Sequence, residues 1–180
     1  MVYCFLAEGF EEIEALATVD ILRRAGIDVL TVGVNEDVII GAHQIPVLAD
    51  IREAGVKLDS ALEAVILPGG LPGTTNLKKS EAVQKALDYA SENDRYICAI
   101  CAAPLVLGHK GLLKDKKATC YPGFEVDLIG AEATGAYVEA DGKIITAKGA
   151  GVAIDFALKI VEKLKDKETA DKINASIQSK

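Results

Sequence analysis

The strongest candidate for chemistry is Cys101, at the point where a predicted strand gives way to a predicted helix. The segment AICAAP has small residues on both sides of the cysteine and a proline shortly after it. That composition suits a cramped strand-to-helix corner, of the kind that forms a nucleophile elbow. N–H groups at the start of a helix favour a thiolate and lower a thiol pKa, so Cys101 is predicted to be reactive. The competing interpretation is an ordinary buried cysteine.

Backbone donors near the thiol could support such a reaction. The segment PGGLPG after the apolar strand Ala64–Leu67 lacks the Lys-Ser or Lys-Thr of a nucleotide P-loop. It is either a tight turn or a place where Gly70 brings a bare N–H close to a reacting oxygen. In the second interpretation, the N–H groups of Gly70 and Ala102 would hold the oxyanion formed when sulfur attacks a carbonyl.

Three other chemistries are less well supported. The turn AEGFEE has one glycine where a dinucleotide fingerprint needs three, so no nicotinamide cofactor is predicted. Cys98 and Cys101 form a CxxC pair. If Cys98 lies in a strand, the two Cα atoms are about 10 Å apart, too far for a disulfide. No second CxxC or paired histidine completes a metal site, and Cys98 and Cys4 are predicted to be core residues.

Composition limits the class of protein. A chain of 180 residues suits a single domain, here 1–180, and half of its residues are hydrophobic. The net charge of −7 and the lack of a basic stripe disfavour nucleic acid. No apolar run is long enough to span a membrane. The absence of an export signal, with four cysteines and no disulfide framework, favours the cytoplasm.

Strands and helices alternate along nearly the whole chain, which predicts a layered α/β sandwich with a mostly parallel sheet. The strands expected to carry the site are Val2–Ala7, Ala64–Leu67 and Tyr96–Ile100. The helix after the elbow is predicted over Ala102–His109. The remaining predicted elements are the helices 13–24, 81–93 and 152–164, the strands 27–34 and 117–120, an edge hairpin over 38–48 and a hairpin over 137–146.

The segments EGFEEIEA, VILPGG, AICAAP and ITAKGAGVAIDFALKIVE, in this order and spacing, are similar to those of the ThiJ/PfpI superfamily. The resemblance is to the branch that contains the parkinsonism-associated protein deglycase, and it covers nearly the whole chain. It implies a flavodoxin-like three-layer fold, a homodimer and an elbow cysteine at Cys101. It also implies a carboxylate partner for the sulfur, which falls on Glu14. Without that resemblance, Glu14 is one of several acids favoured at a helix start.

The sequence departs from this pattern in places that bear on activity. Tyr121 occupies the position where the branch often has a histidine, and is a possible site residue. Protease-like members have a histidine directly after the elbow cysteine, where this chain has Ala102, so peptidase activity is not expected. The two histidines, His43 and His109, are predicted to lie on the surface.

Two functions remain open at this stage, and both depend on Cys101. In the first, the protein is a glyoxalase or deglycase without cofactor or metal. Its substrates would be small dicarbonyls or glycated proteins, and Glu14 would move the proton. In the second, it is a redox sensor or stress chaperone regulated by oxidation of Cys101. A structural dimer without activity is the third possibility.

Overall fold

The computed structural model describes residues 1–179 and is organised around one central sheet. The strands in chain order are β1 (Val2–Leu6), β2 (Val29–Gly33), β3 (Val38–Ile40), β4 (Pro46–Leu48), β5 (Ile51–Arg52), β6 (Ala64–Leu67), β7 (Tyr96–Ile100), β8 (Lys117–Ala118), β9 (Glu132–Ala133), β10 (Val138–Asp141) and β11 (Ile144–Ala147). The α-helices are α1 (Glu12–Arg24), α2 (Gly73–Lys79), α3 (Glu81–Glu92), α4 (Pro104–His109), α5 (Ala153–Leu164) and α6 (Lys167–Ser176). Within residues 1–179, none of these helices has the length and apolar character to cross a membrane.

The central sheet contains seven strands in the order β10-β11-β7-β6-β1-β2-β5. Neighbouring strands are parallel except for the β10–β11 pair. Every residue of β1 and β6 is buried, as expected for central parallel strands covered by helices on both faces. The predicted mostly parallel α/β architecture is confirmed.

Alternate residues of each central strand face opposite sides of the sheet. On one side, Cys4 and Leu6 of β1 pack in a cluster with residues of α1 and α5, including Phe156. On the other side, Tyr3 and Phe5 pack in a second cluster with residues of α3 and α4. The result is a three-layer sandwich of helices, sheet and helices.

Some predicted elements differ from the structure. The hairpin β3–β4 was expected at a sheet edge but forms a separate two-stranded sheet, and β5 is the edge strand. The predicted strand 117–120 is only two residues long and pairs with the unpredicted β9. Helices α2 and α6 were not predicted, because α2 buries only one large apolar side chain, Leu77, and α6 buries only Ala170. Neither has the broad apolar stripe that identifies a helix in sequence.

Substitution of Phe156 tests how α5 packs against the sheet and α1. Its side chain is fully buried between sheet and helices, so Phe156→Ala is expected to lower the free energy of unfolding by about 3–5 kcal/mol, as measured by urea denaturation. The matched control is Ile154→Ala on the same helix. Ile154 is 38% exposed, and its truncation should cost less than about 1 kcal/mol. Equal losses in the two variants would contradict the assigned orientation of α5.

Candidate active site

The candidate site lies at the carboxyl ends of three adjacent parallel strands, β1, β6 and β7. The chain leaves β1 toward β2 on one side, while β6 lies on the other side, so the strand order reverses between β1 and β6. Open α/β sheets bind ligands in the crevice at such a point. The three loops that meet there contain the start of α1, the adjacent glycines Gly69 and Gly70, and Cys101.

Cys101 immediately follows β7 and has a left-handed backbone conformation, with φ of +64°. That conformation is uncommon for a residue with a side chain and marks a sharp turn. Two hydrogen bonds hold it in place: the Cys101 N–H donates to the Ala147 carbonyl at 2.9 Å, and the Cys101 carbonyl accepts from the Tyr121 N–H at 2.8 Å. The elbow forms as predicted, but α4 begins at Pro104. Ala102 and Ala103 form a turn before it.

Glu14 lies in the first turn of α1, and its side chain is buried at 1% exposure. One carboxylate oxygen, Oε2, accepts the Gly69 N–H at 2.8 Å. The other, Oε1, is buried without a hydrogen-bond partner among the described residues. The position of the helix start is fixed from both sides, because Glu11 N–H donates to the Gly69 carbonyl and Glu11 Oε2 caps the Glu14 N–H.

Gly69 allows the cysteine and the glutamate to approach each other. A Cβ at this position would lie 2.6 Å from Cys101 Cβ and 2.7 Å from Glu14 Oε2, closer than real Cβ contacts. A residue with any side chain would therefore push the pair apart. The absence of a side chain at Gly69 lets the loop after β6 pass between the elbow and α1.

The two backbone donors named from the sequence affect the ionisation of the sulfur. The N–H groups of Gly70 and Ala102 both lower the pKa of Cys101. Gly70 has φ of +87°, and a Cβ there would lie 2.5 Å from the Glu11 N atom. The loop can therefore present this N–H to the site only with glycine at position 70.

Burial and mutual contact shift the pKa values of both side chains. Burial raises the pKa of Glu14 to about 7, against the lowering effect of hydrogen bonds from the Cys101 thiol and the Gly69 N–H. Beside ionised Glu14, burial and then the carboxylate charge raise the pKa of Cys101 to about 12, and the N–H groups of Ala102 and Gly70 only partly oppose this. The predicted lowering of the thiol pKa is therefore wrong.

The two groups are best described as a pair that shares one proton and one negative charge. Two N–H groups lower the pKa of the sulfur, and the Gly69 N–H binds Oε2 of the carboxylate, whose Oε1 is buried without a partner among residues 1–179. A buried ionised oxygen without a donor is costly, while a protonated one can itself donate to sulfur. In the state in which Cys101 is ionised, a protonated Glu14 can therefore donate to its sulfur.

Tyr121 is adjacent to the elbow. Its N–H donates to the Cys101 carbonyl. Its half-exposed ring packs against Gly149, where an added Cβ would lie 3.3 Å from Tyr121 Cδ2. The ring forms one wall of a groove of about 350 Å³, and Tyr137 and Lys148 also line it. Cys101 does not line this groove. The backbone of Tyr121 therefore contacts the elbow, whereas its ring lines the adjoining groove.

The other three cysteines are buried, as predicted for Cys4 and Cys98, while Cys101 is half-buried. All four are free thiols. The Cys4 and Cys98 side chains lie in the same core cluster, on the α1 face of the sheet. The CxxC spacing therefore has no redox or metal partner among the described residues.

One group beside the site could be taken for a metal centre. Glu11, Glu12 and His43 bring one ligand atom each within 4.8 Å of one another. The buried Glu12 carboxylate, however, already accepts both the His43 N–H at 2.7 Å and the His43 Nδ1–H at 2.9 Å. These contacts hold the β3–β4 turn against the start of α1, so we interpret the cluster as a structural clamp.

Sequence reasoning missed Gly69, Glu11 and the Glu12–His43 clamp. The double glycine of PGG was a signal for Gly69, but only the topology shows which glycine passes between the cysteine and the glutamate. In the EEIE run, all three acids suit a helix start, and nothing local distinguishes the one that faces sulfur. The clamp joins residues 31 positions apart and has no local signal.

The fold and site together define an α/β protein with a cysteine at a nucleophile elbow and a buried glutamate beside it. Residues 1–163 match the DJ-1/PfpI family, and the chain belongs to that family. The resemblance seen in the sequence motifs is confirmed.

Several known proteins are similar over nearly the whole chain. Protein DJ-1 homolog B of Arabidopsis thaliana is 39% identical over 175 residues, covering 96% of this chain but only 40% of the plant protein. The chain thus spans less than half of that relative. Glutathione-independent glyoxalase DJR-1.2 of Caenorhabditis elegans is 32% identical over 168 residues, covering 92% and 89% of the two chains. The structure of oxidised Toxoplasma gondii DJ-1 superposes with a TM-score of 0.94, at 34% identity, covering 99% and 97%.

Two substitutions of Glu14 test the shared proton. Gln retains a donor toward the thiolate and Leu does not, and a hydrogen bond to the charged form lowers a pKa. The alkylation rate of Cys101 with iodoacetamide, measured against pH, should therefore rise about one pH unit lower in Glu14→Gln than in Glu14→Leu. Asp20→Asn, on the exposed face of α1, should leave the wild-type profile unchanged. Identical or reversed profiles for Gln and Leu would show that Glu14 does not donate to sulfur.

Proposed function

We propose that the protein is a cysteine-dependent, cofactor-free glyoxalase or deglycase that acts on small dicarbonyls or on their adducts with proteins. The observation that carries the proposal is the contact between Cys101 and a buried Glu14 whose pKa burial raises to about 7. A nucleophile beside an acid–base group that titrates near neutral pH is what carbonyl addition followed by proton transfer requires. The printed name of the C. elegans relative supports the same reaction class.

The first step is attack of the Cys101 sulfur on the aldehyde carbon of methylglyoxal. A C–S bond forms, and the carbonyl π electrons become an oxyanion within reach of the Gly70 and Ala102 N–H groups. The Glu14 proton then passes to that oxyanion, which gives a neutral hemithioacetal. Glu14 is left as a carboxylate and can act as a base.

The second step is an isomerisation. Glu14 removes the hydrogen from the carbon that bears sulfur and returns it to the neighbouring carbon, while the hydroxyl proton moves from the first oxygen to the second. The product is a thioester of lactate. Water hydrolyses the thioester, breaking the C–S bond and releasing lactate and the thiol. The sum is methylglyoxal plus water to lactate, with no external oxidant or reductant.

The test is lactate formation from methylglyoxal by protein treated with a chelator. Cys101→Ser should reduce the rate to the uncatalysed background, because the nucleophile is lost. Glu14→Gln should lower kcat by about 10²–10⁴, the usual contribution of general acid–base catalysis. Cys120→Ser, which alters a buried thiol in the opposite core cluster, is the control and should retain activity. Equal lactate formation by wild type and Cys101→Ser would refute the enzymatic proposal.

Regulation by oxidation is a second candidate, favoured by the difference in exposure among the thiols. Cys101 is half-buried, whereas Cys4, Cys98 and Cys120 are buried. A protonated Glu14 can donate to an oxygen of an oxidised Cys101, which would stabilise a sulfinic acid there. This function needs the same two residues but no turnover.

Mild hydrogen peroxide treatment followed by peptide mass spectrometry tests this second candidate. Oxygen should appear on Cys101 first, before any of the three buried thiols is modified. Glu14→Leu, which lacks a donor, should convert a smaller fraction of Cys101 to the sulfinic form at the same peroxide dose. Simultaneous oxidation of all four cysteines in folded protein would rule out a sensor based on Cys101.

A further inference from the structure

A second group of reactive side chains lies away from the elbow, where three separate elements meet. Lys78 is in the last turn of α2, His109 is in the last turn of α4, and Asp127 is in a short 3₁₀ helix. The Lys78 Nζ is hydrogen-bonded to His109 Nδ1. On the other side of the ring, His109 Nε2 lies 2.7 Å from Asp127 Oδ1. The three side chains therefore form a continuous chain from amine to carboxylate.

The hydrogen bonds assign the proton on the imidazole. Nε2 faces a carboxylate and must donate, so Nδ1 of the neutral ring has a lone pair that faces the lysine. An amine at Lys78 can donate one N–H to that lone pair and leave its own lone pair free. His109 is thereby placed to accept a proton that Lys78 loses.

The position of His109 is set by two elements. It lies at the carboxyl end of α4, and its Nε2 contacts Asp127 of the 3₁₀ helix. The close approach depends on Gly108, because a Cβ there would lie 2.0 Å from the Asp127 carbonyl oxygen. The glycine lets the end of α4 contact the 3₁₀ helix.

Lys78 has a different kind of partner from the lysines that form ion pairs. Lys85, Lys110 and Lys167, for example, each contact an aspartate or a glutamate. Within residues 1–179, Lys78 is the one lysine whose side chain is bonded to an imidazole. It is also exposed, so reagents can reach it.

We propose that Lys78, His109 and Asp127 form a nucleophilic amine site, at which Lys78 accepts acyl groups from activated donors such as acyl phosphates. The Lys78 ammonium first gives one proton to His109 Nδ1, which passes it to solvent. The neutral nitrogen then attacks the acyl carbon, and a C–N bond forms. The bond from carbon to phosphate oxygen breaks, and phosphate leaves with the electron pair. The second proton lost by nitrogen passes to His109 Nδ1 and then to solvent, while Asp127 holds the ring. The product is an amide on Lys78, and no redox change occurs.

The test is a short incubation of the full chain with limiting acetyl phosphate, followed by peptide mass spectrometry. Lys79 is the internal reference, because it is the next residue, is exposed and lines a different cleft, together with Glu8 and Glu81. In wild type, acetylation at Lys78 should exceed that at Lys79 at least about fivefold, a modest effect for general base assistance. His109→Gln and Asp127→Asn should both bring the ratio close to one.

Two controls separate this chemistry from simple accessibility. Asp88→Asn, which removes the partner of Lys110 on a neighbouring surface, should leave the Lys78 to Lys79 ratio unchanged. Unfolding in urea should bring the ratio to one, because the three elements separate. Circular dichroism checks that each variant is folded. A wild-type ratio near one, or a high ratio retained in His109→Gln, would overturn the proposal whatever the lactate assay shows.

Discussion

The close passage of Gly69 between a cysteine and a glutamate is the constraint on which the rest of the site depends. Its missing side chain lets the Cys101 and Glu14 side chains share a space that a single methyl group would fill. Its N–H holds Glu14 Oε2, and its carbonyl holds the Glu11 N–H, so the first turn of α1 is fixed to this loop. The glutamate is thus positioned by hydrogen bonds to the backbone of Gly69.

The sheet order explains why these segments meet at all. β1, β6 and β7 are adjacent and parallel, so the residues that follow them emerge at one edge although they are far apart in sequence. Cys101 makes a sharp turn at that edge, with a left-handed backbone conformation. Its backbone N–H and carbonyl are both hydrogen-bonded in this conformation. Backbone strain at the elbow is tolerated because the neighbouring strand and the Tyr121 loop fix the residue from both sides.

Sequence reasoning predicted the sheet, the elbow and the identity of Cys101 because each leaves a local pattern. Apolar runs bounded by turns indicate the buried strands, and small residues around a cysteine indicate the corner. Glu14 could be named only by resemblance, since its role depends on a loop 55 residues away. The pKa of Cys101 was predicted in the wrong direction, because the dipole argument used the helix start alone. Burial and a neighbouring carboxylate are tertiary effects that no short motif contains.

In the proposed reaction, the same balance gives Glu14 the acid–base role for which the chain has no histidine next to Cys101. Imidazole is the usual acid–base group at neutral pH because its ordinary pKa is about 6.5. Burial raises the pKa of the Glu14 carboxyl to about 7, close to that of imidazole. The hydrogen bonds from Cys101 and the Gly69 N–H keep this pKa from rising further. Glu14 also has one oxygen without a partner, which can carry the proton toward the sulfur. In the proposed reaction Glu14 therefore acts as the acid–base group in place of a histidine. The ring of Tyr121 lines the neighbouring groove.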